Sequence, residues 1–564
     1  MTSKPGAAAI VTATNDDRPP IETRLSRLRA GLENRVPKLD APFPAFTLVL
    51  SVSDGETRAV TAQGSATSLE AAWTEALAGL HRVMAKEKLR GRFLRLDWVE
   101  NVETLTWKRL RKRLRDVKRN YCRRGIALDA DFSRFFLEQE LNASAMLYGG
   151  NAISHCVVNE KNFAIATRRK YGPESAVNFA DDQTVYTFES GGLFCAEDGE
   201  VLELFGPGRD AGRRKITALN PDLLNRVIKD ASDFLASQVR PDGRFVYGYH
   251  PCFDREIGAY NALRHASTIY SMLEAWEVTH EPGLLEAIER ALDYLCKHLI
   301  RSDRENKAFV VDTGNEIKLG ANATAILAMT KYMSLFGSGR FSDILEKLAN
   351  GIVFMQGDDG SFVHVLNWPG LDMKERFRIV YYDGEAAFAL MRLYGLTGQD
   401  CWIEAVEKAF DHFIRQDHWV HHDHWLSYCT NELTVHRPEE RYFRFGIRNF
   451  EDHLDFVAQR ITTFPTLLEL MMASRRMLDR MHERPECAGL LKTVDESKFD
   501  QAMHFRAAYI LNGHFWPEFA MYFQNPNRIL GSFFIRHHAF RVRIDDVEHY
   551  LSGLVAYSEY MADR

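Results

Sequence analysis

The chain is predicted to be mainly α: an α/α toroid of helical hairpins over residues 221–564, preceded by a small α+β domain over 44–220 and a flexible leader over 1–43. Three observations predict this. From Pro221 onward, segments of helical period follow one another, separated by short loops of Gly, Asp or Pro. The segments alternate in character, one rich in Ala and other small residues, the next more charged and two-faced. The turn Asp-Gly-x-Phe occurs twice, at Asp242–Phe245 and Asp359–Phe362, each after a charged segment and before the loop leading into a small-residue one.

The totals set the frame. With 564 residues, the chain exceeds the roughly 250–300 at which one core stops growing, so at least two domains are expected. A hydrophobic fraction of 46%, a charged fraction of 26% and a net charge of −6 give no global electrostatic reason to expect nucleic acid or membrane. The first twenty residues lack the apolar core of a signal peptide, and no stretch approaches the ~18 apolar residues of a membrane span. The eight cysteines are scattered without a C-x-x-C spacing, which points to reduced thiols and a cytoplasmic home.

In the first domain, Phe46–Val52 is rich in β-formers and stops at the turn Asp54-Gly55, with Thr57–Thr61 as its return strand. Ser68 caps a helix running to about Lys86, and Arg92–Val99 alternates like a half-buried strand. Further β-like runs lie at 162–167 and 184–189. Between them, residues 108–124 hold ten Lys/Arg and one acid, with Leu110, Leu114, Val117 and Tyr121 at helical spacing. That is an amphipathic helix with a cationic face. It is either a solvated face paired to acids such as Asp129, Asp131 and Glu138, or a contact for an anionic surface.

In the second domain, helices are expected over 222–238, 261–279, 284–300, 320–336, 341–356, 384–396, 400–416, 454–480, 498–511 and 544–561. Small-residue helices such as 321–325 suit a crowded inner ring, and two-faced ones such as 401–409 suit an outer ring. Each hairpin can bury its apolar face only by stacking on its neighbours. On these repeated pairs and the Asp-Gly-x-Phe turns the chain resembles the six-hairpin α/α-toroid proteins, which include glycoside hydrolases, polysaccharide lyases and sugar epimerases, and the related terpenoid-cyclase toroids. The resemblance covers about 340 residues and implies a carbohydrate-binding funnel; it identifies no single family and implies no cofactor.

A funnel site would draw on the loops leading into inner helices, where exposed amides also favour negative charge. Glu385 and Asp452 are the expected acid/base pair, since two carboxyl groups can protonate a glycosidic oxygen and activate water. His265, His453 and His549 are alternative bases. Arg264, Asn322, Tyr382, Arg543, Asp545 and Trp425 are expected substrate contacts, and the arginine density favours an anionic, uronic-acid-containing glycan. Hydrolysis, β-elimination and epimerisation stay open, as does a non-catalytic role holding a polymer or partner in a surface-polysaccharide assembly.

Each residue has a plainer role beside the catalytic one. An Asp at a helix start is usually a cap, His265 sits among small residues as a core histidine would, and Arg543 to Asp546 forms a ready ion pair. The crowded run Asp417–Trp425 invites a metal, but it lacks any H-E-x-x-H or comparable ligand spacing, and no metal is expected. The chain also lacks a phosphate-binding G-x-x-x-x-G-K-[ST], a G-x-G-x-x-G after a strand and a G-x-S-x-G elbow, which leaves nucleotide and serine-hydrolase chemistry without support.

Overall fold

The computed structural model describes residues 18–303 and 305–564. Contacts divide the chain into two compact units. The first runs through Thr217 and also takes 249–256 and 512–542; the second holds 218–248, 257–511 and 543–564. The break near residue 220 is therefore joined by two excursions, which the sequence reading left inside 221–564. Of the expected leader, residues 1–17 lie outside the described residues. Ile21–Ala30 is a helix that buries Leu25 and Leu28.

The first unit is built on an antiparallel sheet of β1 (Phe46–Ser53), β2 (Val60–Ala66), β3 (Phe93–Thr106), β4 (Gly125–Ala127), β5 (Phe135–Phe136), β6 (Thr184–Cys195) and β7 (Val201–Glu203). The strand order is β2-β1-β3-β6-β4-β5, with β7 on β6. Period-two alternation puts Leu48, Leu50 and Val52 on one face with Leu94, Leu96 and Trp98. The helix Leu69–Glu87 covers that face with Ala72, Trp73, Ala76 and Leu80. It lies so close that a Cβ on Gly64 would fall 2.0 Å from the Ala72 carbonyl oxygen. The opposite face buries the pair Arg95 and Asp97, two residues apart on β3, joined by bonds of 2.9 and 2.7 Å.

Two expectations in this unit are corrected. Residues 162–167 belong to a helix, Glu160–Tyr171, whose start is capped by Asn159. The basic run is helical only over Trp107–Leu114. Asn120 takes a left-handed φ of 64°, which ends any helix there. Many of its cations are paired: Arg111 with Glu160 and Asp181, Arg113 with Glu103, Arg123 with Glu138, and Arg124 with Glu189. Asp129 pairs with Arg134 instead.

The second unit is an α/α toroid. Its outer helices are α1 (Pro221–Gln238), α3 (Pro282–Tyr294), α5 (Ser342–Phe354), α7 (Asp400–Arg415), α9 (Glu440–Arg448) and α11 (Glu496–Tyr509). The inner ones are α2 (Ala262–Thr279), α4 (Leu319–Phe336), α6 (Tyr381–Thr397), α8 (His424–His436), α10 (Thr466–His482) and α12 (Ile544–Ala562). Each inner helix packs on the next, and α12 packs back on α2, so the ring closes with six hairpins among the described residues. The inner helices are buried nearly all round, as in α4, where almost every position from Leu319 to Met333 is covered. That is why they carry small residues and little amphipathic signal. No helix among the described residues is long and apolar enough to cross a membrane.

The repeated Asp-Gly-x-Phe has a physical cause. Gly243 and Gly360 sit at φ of +89° and +86°, and a Cβ on either would meet a carbonyl oxygen, that of Arg290 or Lys408, at 2.1 or 2.2 Å. The preceding Asp accepts from the amide two residues on, and the Phe is buried under the next hairpin. These turns clamp the outer helix of one hairpin to that of the next.

The hairpin α8/α9 is absent from the helices expected by sequence. His424-Trp425-Leu426-Ser427-Tyr428-Cys429-Thr430 is an inner helix covered on every side, so it shows no polar face to mark its period. The expected helix over 454–480 is two, Leu454–Gln459 and α10, separated by Thr462 and Pro465. Buried Arg506 satisfies the freed carbonyls of Val457, Arg460 and Thr462.

A small antiparallel sheet forms a lip on this unit: β8 (Ile300–Ser302), β9 (Ala308–Asp312), β10 (Glu316–Lys318), β11 (Val365–Asn367) and β12 (Met373–Glu375), paired in that order. Its strands lead into α4 and α6.

Candidate active site

The first two turns of the inner helices carry a set of ionisable groups, most of them buried, with Arg264 and His549 partly exposed. α2 supplies Arg264, α6 Glu385, α8 His424 with its cap Asp423, α10 Glu469, and α12 Asp545, Glu548 and His549. Helix geometry explains the grouping, because residues near one end of parallel inner helices face the axis at one level.

His549 is the hub. Its Nδ1 lies 2.9 Å from Glu469 Oε2, and its Nε2 lies 3.7 Å from Glu548 Oε1. Burial works against its charge, but Glu469, Glu548 and Asp545 overcome that and hold its pKa at about 10. His424 is the opposite case. Burial takes its pKa down to about 3, opposed by Glu469 and reinforced by the charge of His549. The two rings meet edge to face with centroids 5.3 Å apart. His424 Nδ1 lies 3.4 Å from Asp423 Oδ1, and its buried Nε2 has no hydrogen-bond partner among the described residues.

The carboxyl groups divide likewise. Burial raises Asp423 to about 8, although the amides of Trp425 and Leu426 bond it. Burial also raises Glu548 to about 8, with Ser267 and Thr268 donating to its Oε2 at 2.7 and 3.0 Å. Glu385 is pushed well above the usual carboxylate range, first by burial and then by Asp423. Its Oε2 has no partner among the described residues, and it presses so close to Gly320 of α4 that a Cβ there would lie 1.8 Å away. An orphaned buried polar atom is costly in a folded protein, and Glu385 Oε2 and His424 Nε2 are two such atoms on neighbouring inner helices.

Arg264 Nε bonds Asp545 Oδ2 at 2.6 Å, and its guanidinium also reaches the Tyr247 hydroxyl. Arg543 grips the same Asp545 through both ends of its fork and lies 3.4 Å from Asp546. Burial opposes ionisation of Asp545, but the two arginines hold it below its ordinary range. Each arginine charge is thus matched by a carboxylate. His424, Glu469 and His549 offer donor atoms within 4.8 Å of one another, a spacing a metal ion could use. In this structure the hydrogen bond between His549 and Glu469 already occupies one donor of each.

The structure brings together Glu385, His549, Arg264, Arg543 and Asp545, with Tyr382 and Trp425 alongside. Tyr382 is buried within electrostatic reach of Glu385, and Trp425 packs on Phe388 and Tyr428, 6.4 Å from the His549 ring. The other expected residues sit elsewhere. Asp452 is exposed in the short turn Glu451–His453 that follows α9, so Glu385 faces Asp423 in its place. His453 stacks on His422 at 4.0 Å, in that same turn. His265 is a satisfied core histidine, with Nδ1 2.7 Å from the Tyr260 hydroxyl and Nε2 2.9 Å from the Ala291 carbonyl. Asn322 ties the lip to α4, accepting from the Val310 amide at 2.7 Å and donating to the Lys318 carbonyl at 3.1 Å.

Sequence reasoning missed Asp423, His424, Glu469 and Glu548 as candidate site residues. The signal for the first two was present in the histidine-rich run. Glu469 was hidden by reading 454–480 as one helix, and Glu548 by its neighbour His549.

No family model matches the chain, and no curated protein matches it. Among solved structures it is similar to a D-mannose isomerase, at 12% identity and a TM-score of 0.47, covering 62% of this chain and 100% of that one. It is similar to a cellobiose 2-epimerase from Bacillus thermoamylovorans B4167, at 11% identity and a TM-score of 0.46, covering 60% of this chain and 100% of that one. It is also similar to an inactive variant of an α-1,6-mannanase from Salegentibacter sp. HEL1_6 in complex with α-1,6-mannotetrose, at 12% identity and a TM-score of 0.40, covering 60% of this chain and 99% of that one.

Proposed function

We propose that the toroid is a carbohydrate-active enzyme that moves a proton at the carbon beside a sugar carbonyl, isomerising or epimerising a neutral sugar. One observation carries this reading: two histidines in contact whose pKa values are driven to about 10 and about 3. At neutral pH one is a cation and the other a free base, the arrangement in which acid and base roles separate. His424 Nε2, unpartnered, takes the proton from C2 of the open-chain aldose, and the C–H electron pair becomes the C1=C2 bond of an enediol. His549 supplies a proton to the carbonyl oxygen at the same moment. Return of the proton from His424 to C1, with the O2–H proton passing to His549, yields the ketose; return to the other face of C2, with the O1–H proton passing back to His549, yields the epimer.

The substrate is neutral on this reading. The two arginines expected to hold a uronate are already matched by Asp545 and Asp546, and a further anion would find no unbalanced charge. A second reading, hydrolysis by Glu385 and Asp423, is favoured by their shared rise in pKa, which suits a proton-donating acid.

The test is incubation in deuterium oxide with mannose, glucose, cellobiose, mannobiose and uronic-acid oligosaccharides, followed by proton NMR and mass spectrometry. Deuterium entering C1 or C2 of a neutral sugar supports proton transfer. Fragments carrying added water would move the assignment to the carboxyl pair. Turnover of uronic-acid oligosaccharides alone would overturn the neutral-substrate reading, and all sugars returned unchanged would overturn both reactions.

A further inference from the structure

The lip carries an apolar strip in water. Phe377 is 62% exposed, Met373 58% and Ile379 40%. Three exposed apolar side chains within one short segment of the lip offer a surface that a ligand with an apolar face could cover. The segment is also held firmly. Arg378 bonds Glu316 through two nitrogens at 2.8 and 3.1 Å and Glu375 Oε2 at 2.6 Å, while Lys374 adds a 2.7 Å pair to Glu316. The Arg378 amide donates to His364 Nδ1 at 3.0 Å, so that nitrogen is the acceptor and Nε2 carries the proton, facing Asp383 Oδ2 at 3.3 Å.

The strip is joined to the site by rings. Phe377 lies on the His364 ring at 4.8 Å, and His364 lies on Tyr382 at 5.4 Å. Tyr382 and Glu385 both abut Gly320. A line of three rings thus leads outward from the acid–base groups to an exposed aromatic face at the mouth of α6.

We propose that Phe377 is the stacking platform for a second sugar ring, so that the substrate of this site is a disaccharide or longer neutral saccharide, with its reacting unit inside the ring of helices and the next unit on the lip. The C–H face of a pyranose is apolar and matches an aromatic face, while its hydroxyls stay in water or reach the ion network around Glu316. Because the lip is already fixed by Arg378 and His364, little ordering is lost when the ring docks. Phe377 acts on affinity and length preference and takes no part in the proton step.

This inference rests on the sugar-processing reading of the same site, and its test separates the two. Binding of mannose, cellobiose and mannobiose to the full chain is measured by calorimetry alongside the deuterium exchange assay. Phe377→Ala is expected to weaken disaccharide binding and raise its KM about tenfold, leaving mannose binding and kcat unchanged. Phe377→Trp is expected to restore disaccharide affinity. Equal loss for mono- and disaccharide, no loss for either, or no binding of any disaccharide by the unaltered chain would overturn the platform. Disaccharide binding that depends on Phe377 without any deuterium exchange would uphold the platform and overturn the acid–base reading instead.

Discussion

Glu469→Gln tests the centre of the mechanism most directly. His549 titrates at about 10, and an ordinary histidine at about 6.5, so its surroundings favour the cation by about 5 kcal/mol. The largest favourable partner is Glu469, with an oxygen 2.9 Å from His549 Nδ1. Two unit charges about 3 Å apart in a protein interior of effective dielectric about 20 attract by roughly 5 kcal/mol, which is enough to account for much of the shift. Glutamine keeps the size and one acceptor oxygen but removes the charge. The variant is therefore expected to lower the His549 pKa by at least about two pH units, with Glu548 and Asp545 holding up the rest. The assay is a titration of the chain labelled with 15N at histidine, followed through the ring nitrogens, with the pH profile of deuterium exchange beside it. The alkaline limb of that profile should move down with the titration. A His549 midpoint near 6.5 in the unaltered chain, or one that Glu469→Gln leaves in place, would refute the reasoning.

Two further outcomes follow from the same groups. The folded pKa values of His549, Glu548 and Asp423 all lie above their unfolded values, so the stability they contribute is full below the unfolded pKa and is lost as pH rises through the folded one; the two carboxyl groups lose theirs between about pH 4 and pH 8 and His549 loses its own between about pH 6.5 and pH 10, so the melting temperature should still be falling between about pH 8 and pH 10, and His549→Gln should flatten that part of the fall. Gly320→Ala places a methyl group 1.8 Å from the present position of Glu385 Oε2 and 2.7 and 2.8 Å from Leu263 and Tyr382, so these side chains must move; on the hydrolytic reading kcat should drop at least tenfold with the circular dichroism spectrum unchanged, and full hydrolytic activity would show that Glu385 does not need its place.

How much of this was legible in the sequence depends on what each residue meets. The outer helices show themselves because one face is wet, as in α7 with its buried Trp402, Ile403, Val406 and Phe410. The turns at Gly243 and Gly360 show themselves because no other residue fits. An inner helix such as α8 is buried on all sides and loses its periodic signature, and with it went Asp423 and His424 as site residues. The pairing of His549 with Glu469 spans 80 positions, and nothing local announces it. Asp452 stood out because it clusters with other polar residues before a helix, although an acid there is more often a cap, and only the ring's closure tells which side of the wall it occupies.

That closure has a consequence for how the protein comes into being. The ring is sealed by α12 against α2, two staves separated by the whole of the rest of the toroid, and α12 also brings Asp545, Glu548 and His549. A nascent chain that has not yet reached residue 544 can hold only an open arc of five staves, with the apolar flanks of α2 and α10 facing water where the sixth belongs. The same late step that removes this sticky gap also brings His549 beside Glu469, so on the proposed function an incomplete or mis-seated ring would lack its acid. Such a long-range final contact makes assembly slow relative to the local pairing of each hairpin.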